Sequence, residues 1–377
     1  MNINNMKSTT LNNIKGNKSS PCVTVIIPTH KTSPERTTDP IEVNKTIKQV
    51  KDNLLLKYGK KKGAELAGKL EEFETSIDYT HNAEGLGLFV SAKISEIVQF
   101  PFPVIEKTIV GDKFETRDLV YLSAYLEDYL LLSISMDETK LYRGSGTELK
   151  DIRNNDFPRK YIDDYEYARP SLGSSYGPSL KSTEKDKSII TKERFERFLH
   201  ETDKLLSHYL NNNHIPLIIA GVKQELGYFQ KESTHTAQIA GQIVGNYTHS
   251  SLTEFGKMAF ERIIKHREKI TQQEIEKLSD SIGKELAVTG IRSVWKAAME
   301  GKGLLLIVEK DFTKPGFVKR DDNTNLYLTP PVENHNIMGD AVETIMETIL
   351  EKNGKIRMVD NGTLTDRDQI ALILRYQ

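Results

Sequence analysis

Short apolar runs alternate with amphipathic stretches along this chain, and the alternation predicts three α/β units in series. The first run, CVTVIIPTH from Cys22, is rich in β-branched residues and reads as a buried strand. From about Ile41, the residues Val43, Ile47, Val50 and Leu54 recur at helical spacing, and after KYGKKKG so do Leu66, Leu70 and Phe73. GLGLFVSAKISEIVQFP predicts two strands and RDLVYLSAYLED a short helix or link, closing a first unit near Glu127.

DYLLLSISMDETKLYRGSG opens the second unit as a strand hairpin turning at Asp137–Glu138. Phe195, Phe198, Leu199, Thr202, Leu205, Leu206 and Tyr209 then share one helical face, HIPLIIAGV predicts a buried strand, and SLTEFGKMAFERIIKHREKI a helix. That order needs both faces of a sheet covered. In the third unit, Thr271 and Glu274 have capping-box spacing and predict a helix starting there and running to about Leu286. Ile291, Val294, Trp295 and Ala298 mark another helix, followed by the strand LLLIVEKD, the helix DAVETIMETILEKNG and the strands KIRMVD and IALILRY, an α-β-α sandwich. The predicted boundaries are a polar tail over 1–21, then domains over 22–127, 128–270 and 271–377. One stretch resists the pattern: YARPSLGSSYGPSLKSTEKDKS, Tyr167 to Ser188, has no apolar periodicity, and connections that long are functional or disordered.

Composition agrees with three modest domains: 377 residues, 37% hydrophobic and 28% charged, belong to a folded chain. Lys plus Arg at 52 against Asp plus Glu at 53 argues against coating nucleic acid by bulk charge and leaves only local basic patches. A single cysteine, Cys22, forms no intramolecular disulfide, no apolar run approaches the roughly 20 residues of a membrane span, and the N-terminal residues lack a signal-peptide core. A cytoplasmic protein without membrane contact is expected.

Catalytic signatures are sparse. No P-loop is present, GLGLF at Gly85–Phe89 lacks the third glycine of a dinucleotide fingerprint, His235 and His249 have no metal-ligand neighbours, and Gly-x-Ser-x-Gly is missing. Neither a cofactor nor a metal is expected. Two loops offer phosphate chemistry. KTSPERTTDP, with Lys31, Arg36 and Lys45 flanking Ser, Thr and Asp side chains, lies at the open end of a strand; KYGKKKG, Lys57 to Gly63, is a basic interhelix turn that reads more simply as a solvated turn. The long insert interleaves Arg169, Lys181, Lys185 and Lys187 with Tyr167, Tyr176 and glycines, a composition suited to RNA backbone and base faces as well as to an idle linker.

VTVIIPTH, DPIEVNK, GLGLFVS, YLLLSISMDETKLYRG, GIRSVWKAAMEGKGLLLIVEKD and TLTDRDQIALILRY, in this order from about Val23 to Gln377, resemble the bacterial proteins related to archaeo-eukaryotic class-one release factors and Pelota, a group that includes the ribosome hibernation factors of the Balon type. The resemblance implies an N-terminal α/β domain of the decoding-centre type, an RNase H-like middle domain with a long loop, here 157–192, directed at the peptidyl transferase centre, and a C-terminal α-β-α sandwich resembling kink-turn-binding ribosomal proteins. It implies decoding-centre contacts from Lys31, Thr32, Ser33, Pro34, Arg36, Thr37, Asp39, Asn44 and Lys45, and peptidyl-transferase-centre contacts from Arg169, Gly173, Ser174, Tyr176, Gly177 and Lys181. The Asn-Ile-Lys-Ser signature of stop-codon reading is absent. So is Gly-Gly-Gln: no glutamine occurs between Gln99 and Gln224. The expectation is a non-enzymatic factor that occupies a vacant A site in hibernation or rescue, meeting 16S and 23S rRNA and a translation GTPase such as elongation factor Tu, with no DNA partner. Two alternatives stay open: a tRNA or peptidyl-tRNA hydrolase using Tyr176, Ser174 or Lys181, and a stress-response interaction protein with no ribosome role.

Overall fold

The computed structural model describes residues 13–14, 16–17, 19–161, 180–211, 215–247, 250–332 and 334–376, with the backbone alone for residue 60, residues 180–188 and residue 190. The chain divides into two compact units, one made of residues up to 125 together with 273–377, the other of residues 126–272. The division falls inside a single helix.

In the first unit, β1 (Cys22–Pro28), β2 (Gly85–Val90), β3 (Ser95–Phe100) and β4 (Lys107–Gly111) form an antiparallel sheet in the order β3-β2-β1-β4. Alternation along β1 sends Val23, Val25 and Ile27 toward α1 (Asp39–Tyr58) and α2 (Ala64–Ser76), where Val43, Ile47, Val50, Leu54, Leu66, Leu70 and Phe73 close the core. The helical spacing read from the sequence is the packed face. β4 was not foreseen: KTIVG is short and half-exposed, with little apolar signal of its own. Nor is the segment before β1 wholly a free tail, because Ile14 is 2% exposed and Asn17 donates to Ser19 O and Cys22 Sγ.

The same unit holds the C-terminal sandwich. β10 (Ala287–Thr289), β11 (Gly303–Glu309), β14 (Lys355–Val359) and β15 (Ile370–Leu374) pair in the order β10-β15-β11-β14, with a separate hairpin of β12 (Gly316–Lys319) and β13 (His335–Met338). Leu306, Val308, Ile370 and Leu372 pack on α7 (Ile291–Met299) and α8 (Ala341–Glu351), while Leu305, Ile307, Ala371 and Ile373 face Leu278 of α6 (Leu252–Gly283). Each inner strand is therefore buried on both sides, the α-β-α arrangement expected. The capping box at Thr271 is not used: α6 is one continuous helix, and with no Gly or Pro between Gly256 and Gly283 nothing interrupts its hydrogen-bond ladder.

The second unit has a five-stranded sheet in the order β7-β6-β5-β8-β9, from β5 (Tyr129–Ser133), β6 (Lys140–Ser145), β7 (Glu148–Asp151), β8 (Leu217–Gly221) and β9 (Ile239–Val244). β5, β6 and β7 are an antiparallel meander, and β8 and β9 continue parallel to β5. This is the strand order of an RNase H-like domain. α4 (Leu180–Leu210) and α5 (Lys223–Glu232) cover one face, with Phe195, Phe198, Leu199, Leu206, Leu226 and Phe229 buried against Leu130, Leu132, Leu217 and Ile219. α4 begins at Leu180, so residues 180–192 of the expected loop are helix; STEKDKSIITKERF contains no Gly or Pro and is rich in Lys and Glu, which sustain a helix.

Gly256 of α6 touches the β6–β7 turn so closely that a Cβ there would lie 2.0 Å from Thr147 O. Backbone cannot yield as a side-chain tip can. Gly256→Ala is expected to lower stability by about 1–3 kcal/mol, read as a lower urea midpoint with unchanged slope.

Candidate functional site: two cationic loops of the N-terminal domain

The loop between β1 and α1 is shaped by Asp39, the first residue of α1 and only 2% exposed. Its carboxylate accepts from His30 N at 2.8 Å and Asn82 Nδ2 at 2.6 Å, and pairs with His30 Nδ1 at 2.7 Å. Asp39 therefore positions the loop and has no face left for RNA, a correction to its expected contact role. Lys31 pairs with Glu84 at 3.1 Å and donates to Pro101 O, and Lys45 pairs with Glu42 at 3.2 Å. Arg36 donates to Thr80 O at 3.0 Å, which orients its guanidinium without neutralising it. Thr32, Ser33, Pro34 and Thr37 are exposed around it, and Asn44 is exposed on α1. Among the described residues Lys31 and Lys45 thus have acidic partners and Arg36 has none.

The basic turn KYGKKKG is more distinctive than its sequence indicated. Residues Gly59–Gly63 form one wide helical turn at the tip of the α1–α2 hairpin. Gly59 takes φ +72°, and a Cβ on Gly63 would sit 2.5 Å from Leu54 O, so glycine is required at both ends. Lys57, Lys61 and Lys62 are exposed, with no acidic partner among the described residues; Lys57 lies over the Tyr58 ring at 5.3 Å. Beside them Leu56 is 85% exposed. The turn is thus a cluster of like charges held by tight backbone packing, with no acidic partner among the described residues. The C-terminal sandwich has a second cationic concavity of about 380 Å³, lined by Arg292, Ser293, Lys296, Asn325 and Tyr327. Arg292 and Lys296 are one helical turn apart, a pairing that could have been found by testing polar faces of helices as well as apolar ones.

Of the expected peptidyl-transferase-centre residues, Arg169, Gly173, Ser174, Tyr176 and Gly177 lie outside the described residues, and Lys181 is in the first turn of α4. The stem of the insert is firmly held. Arg159 stacks over Phe198 at 4.8 Å, donates to Thr202 Oγ1 at 2.9 Å and pairs with Glu201, while Tyr161 packs edge-on against Phe195 and Phe198.

The middle domain also contains a Ser-His-Asp series of contacts that no local pattern announces. Ser207 Oγ is 3.3 Å from His235 Nε2, and His235 Nδ1 is 2.9 Å from Asp203 Oδ1. Ser207 lies inside α4, where neighbouring backbone N–H groups are consumed by the helix and supply no oxyanion donors. Asp203 accepts in addition from Ser233 Oγ, Thr234 N and Thr234 Oγ1, so the group is a clamp tying the segment after α5 to α4. Burial pushes the Asp203 carboxyl up, but the donors from His235, Ser233 and Thr234 outweigh it and hold the group below its usual range. A depressed carboxyl contributes stability above its unfolded pKa of about 3.9 that is lost as pH falls through the folded value. Asp203→Ala is expected to cost about 3 kcal/mol or more, and in urea titrations the wild type should converge on the variant below about pH 4.

Residues 128–302 match the model of the bacterial archaeo-eukaryotic release factor family 3. No curated protein matches the chain. Among solved structures, it is similar to an archaeal translation termination factor (14% identity, 100% of this chain and 99% of that chain, TM-score 0.25), ribosome-bound archaeal Pelota (13%, 78% and 77%, 0.42) and Saccharomyces cerevisiae Dom34 (13%, 76% and 74%, 0.36). Dom34 is described as a termination-like factor in RNA quality control that interacts with Hbs1.

Proposed function

We propose that this protein binds the ribosome at a vacant A site, as a hibernation or rescue factor that does not hydrolyse peptidyl-tRNA. The observation that carries the reading is the unneutralised lysine tip of the α1–α2 hairpin in a release-factor-like chain. α1 alone is 20 residues, about 30 Å long at 1.5 Å per residue, which suits insertion of the tip into a deep RNA-lined site. Lys57, Lys61 and Lys62 meet rRNA phosphate there, with Arg36 at its flank and Arg292 and Lys296 as a separate contact from the C-terminal sandwich. The absence of Gly-Gly-Gln removes the group that positions water in true release factors, so the insert binds rather than cleaves. Contacts with 16S and 23S rRNA, a GTPase partner such as elongation factor Tu, a role under stress and a cytoplasmic location belong to the same proposal. Among the described residues no helix is long and apolar enough to cross a membrane.

The test is sedimentation with vacant 70S ribosomes over a salt series. The wild type is expected to pellet, and the triple variant Lys57→Ala, Lys61→Ala, Lys62→Ala to bind at least tenfold more weakly, with a log–log salt slope smaller by about two. Arg36→Ala with Lys45→Ala should cost less, because Lys45 is already paired. A wild type that stays in the supernatant at low salt sinks the proposal; equal binding by the triple variant moves the contact elsewhere. On ribosomes carrying peptidyl-tRNA, no peptide release above background is expected, and release at a rate comparable to a termination factor would replace this reading with the hydrolase.

A further inference from the structure

The segment from Lys113 to Arg117 leaves the N-terminal sheet after β4 and meets the C-terminal sandwich through polar groups. Arg117, 3% exposed, donates through its guanidinium to Phe312 O at 2.6 Å and to Asp340, and Glu115 Oε1 lies 4.0 Å from its Nε. Glu343, in the first turn of α8, accepts from Thr116 N at 2.6 Å and from Thr116 Oγ1 at 3.3 Å, and Lys113 pairs with Glu347 at 2.9 Å. The apolar share is small. Val120 packs against the sandwich core, but the core of the N-terminal domain, built on Val25, Ile47 and Leu70, and that of the sandwich, built on Trp295, Leu306 and Ile345, are separate clusters.

We propose that this contact is a releasable clasp centred on Arg117, through which the N-terminal domain and the sandwich dock and from which they separate without either unfolding. Each side keeps its own supports when the clasp opens. On the N-terminal side, Phe114 packs edge-on against Phe89 at 5.9 Å and Glu115 N donates to Thr24 Oγ1 at 3.0 Å. There α3 (Arg117–Tyr125) is tied back by the Lys107–Asp118 pair at 2.7 Å and by Tyr121, edge-on to Phe102 at 4.5 Å. On the sandwich side, the Asp340 oxygen that does not meet Arg117 accepts from Val342 N at 3.0 Å and from Lys314 N at 3.1 Å, so α8 stays capped with Arg117 gone. None of these supports crosses from one domain to the other.

The polar composition decides how the clasp opens. Two domains without a joint apolar core have little to hold them together once water reaches the contact. A buried ion pair adds more to geometry than to affinity, because desolvating both charges offsets most of their attraction. Breaking one link alone leaves a buried charge without its partner, which costs more than releasing the whole set to water. The links of Arg117, Thr116 and Lys113 are therefore made and lost together, and the contact has two states, docked and open. This concerns the free protein and holds whether or not it binds ribosomes.

A carbodiimide joins an amine to a carboxylate only where the two touch, and Lys113 with Glu347 is a pair across the contact that the reagent can reach, their side chains being 75% and 26% exposed. The wild type is expected to yield the Lys113–Glu347 crosslink in a peptide digest, and Arg117→Ala to lose it. In that variant, hydrogen-exchange protection at Thr116 N–H should fall by about a hundredfold. Protection at Leu306 N–H, inside the sandwich sheet, and the emission of Trp295, the single tryptophan, should stay as in the wild type. A wild type without the crosslink overturns the clasp, and so does an R117A variant that crosslinks and protects Thr116 like the wild type. Loss of Leu306 protection together with that of Thr116 also overturns it, because the contact would then be part of one core. Should R117A fail to fold, Arg117→Leu combined with Asp340→Asn removes both charges and keeps a capping oxygen for α8. The double variant must fold and show the same separation, and its failure to fold counts against the clasp.

Discussion

A strand buried on both faces has to be covered twice, and that requirement organises this molecule. In the N-terminal sheet, β1 gives one face to α1 and α2; the other, with Thr24, Ile26 and the neighbouring Phe89, needs a second cover. The chain supplies it with the segment after β4: Phe114 packs edge-on against Phe89, and Glu115 N donates to Thr24 Oγ1. Covering the sheet in this way carries Glu115, Thr116 and Arg117 out of water, and buried charges demand partners. The partners come from α8 and its cap, Asp340 and Glu343. A packing constraint on one strand thus becomes an electrostatic contact between two domains more than 200 residues apart in sequence.

The same logic explains what could be read from sequence and what could not. Elements that bury one face or both leave a period in the apolar residues, which is why α1, α2, the second half of α4, α7, α8 and the central strands were legible. β4, β7, β9 and β10 are short strands at sheet edges, exposed on one side, and ELKD or KTIVG carries no period to detect. The start of α4 was hidden because its first turns follow a Gly- and Pro-rich stretch and carry polar residues on every side. Thr271 shows the opposite error. A capping box is only a spacing, and it has no meaning where the preceding turn already supplies the carbonyls.

Side-chain roles followed a harder rule. The cationic loops were visible because charge is a property of single residues, but whether a charge is available depends on its neighbours in space. Lys31 and Lys45 pair with Glu84 and Glu42, and Asp39 turns inward; Lys57, Lys61 and Lys62, which read as a solvated turn, are the cluster with no acidic partner among the described residues. Asp203 with His235, and Thr116 with Glu343, are separated by 32 and 227 positions, and no local pattern links them.

Asp203 and the part-buried Glu343 also show why loss of solvent alone does not set the direction of a shift. Asp203 and Glu343 both lose solvent, which favours the neutral form. Around Asp203 every close polar group is a donor, so the ionised form is retained and stability is lost in acid. Glu343 has the Thr116 amide, but loss of solvent and the neighbouring Glu115 carboxyl push it up. The two carboxyls therefore shift in opposite directions, Asp203 down and Glu343 up. Near neutral pH, well above the range in which Asp203 takes up its proton, a modest change in acidity leaves the Asp203 clamp intact.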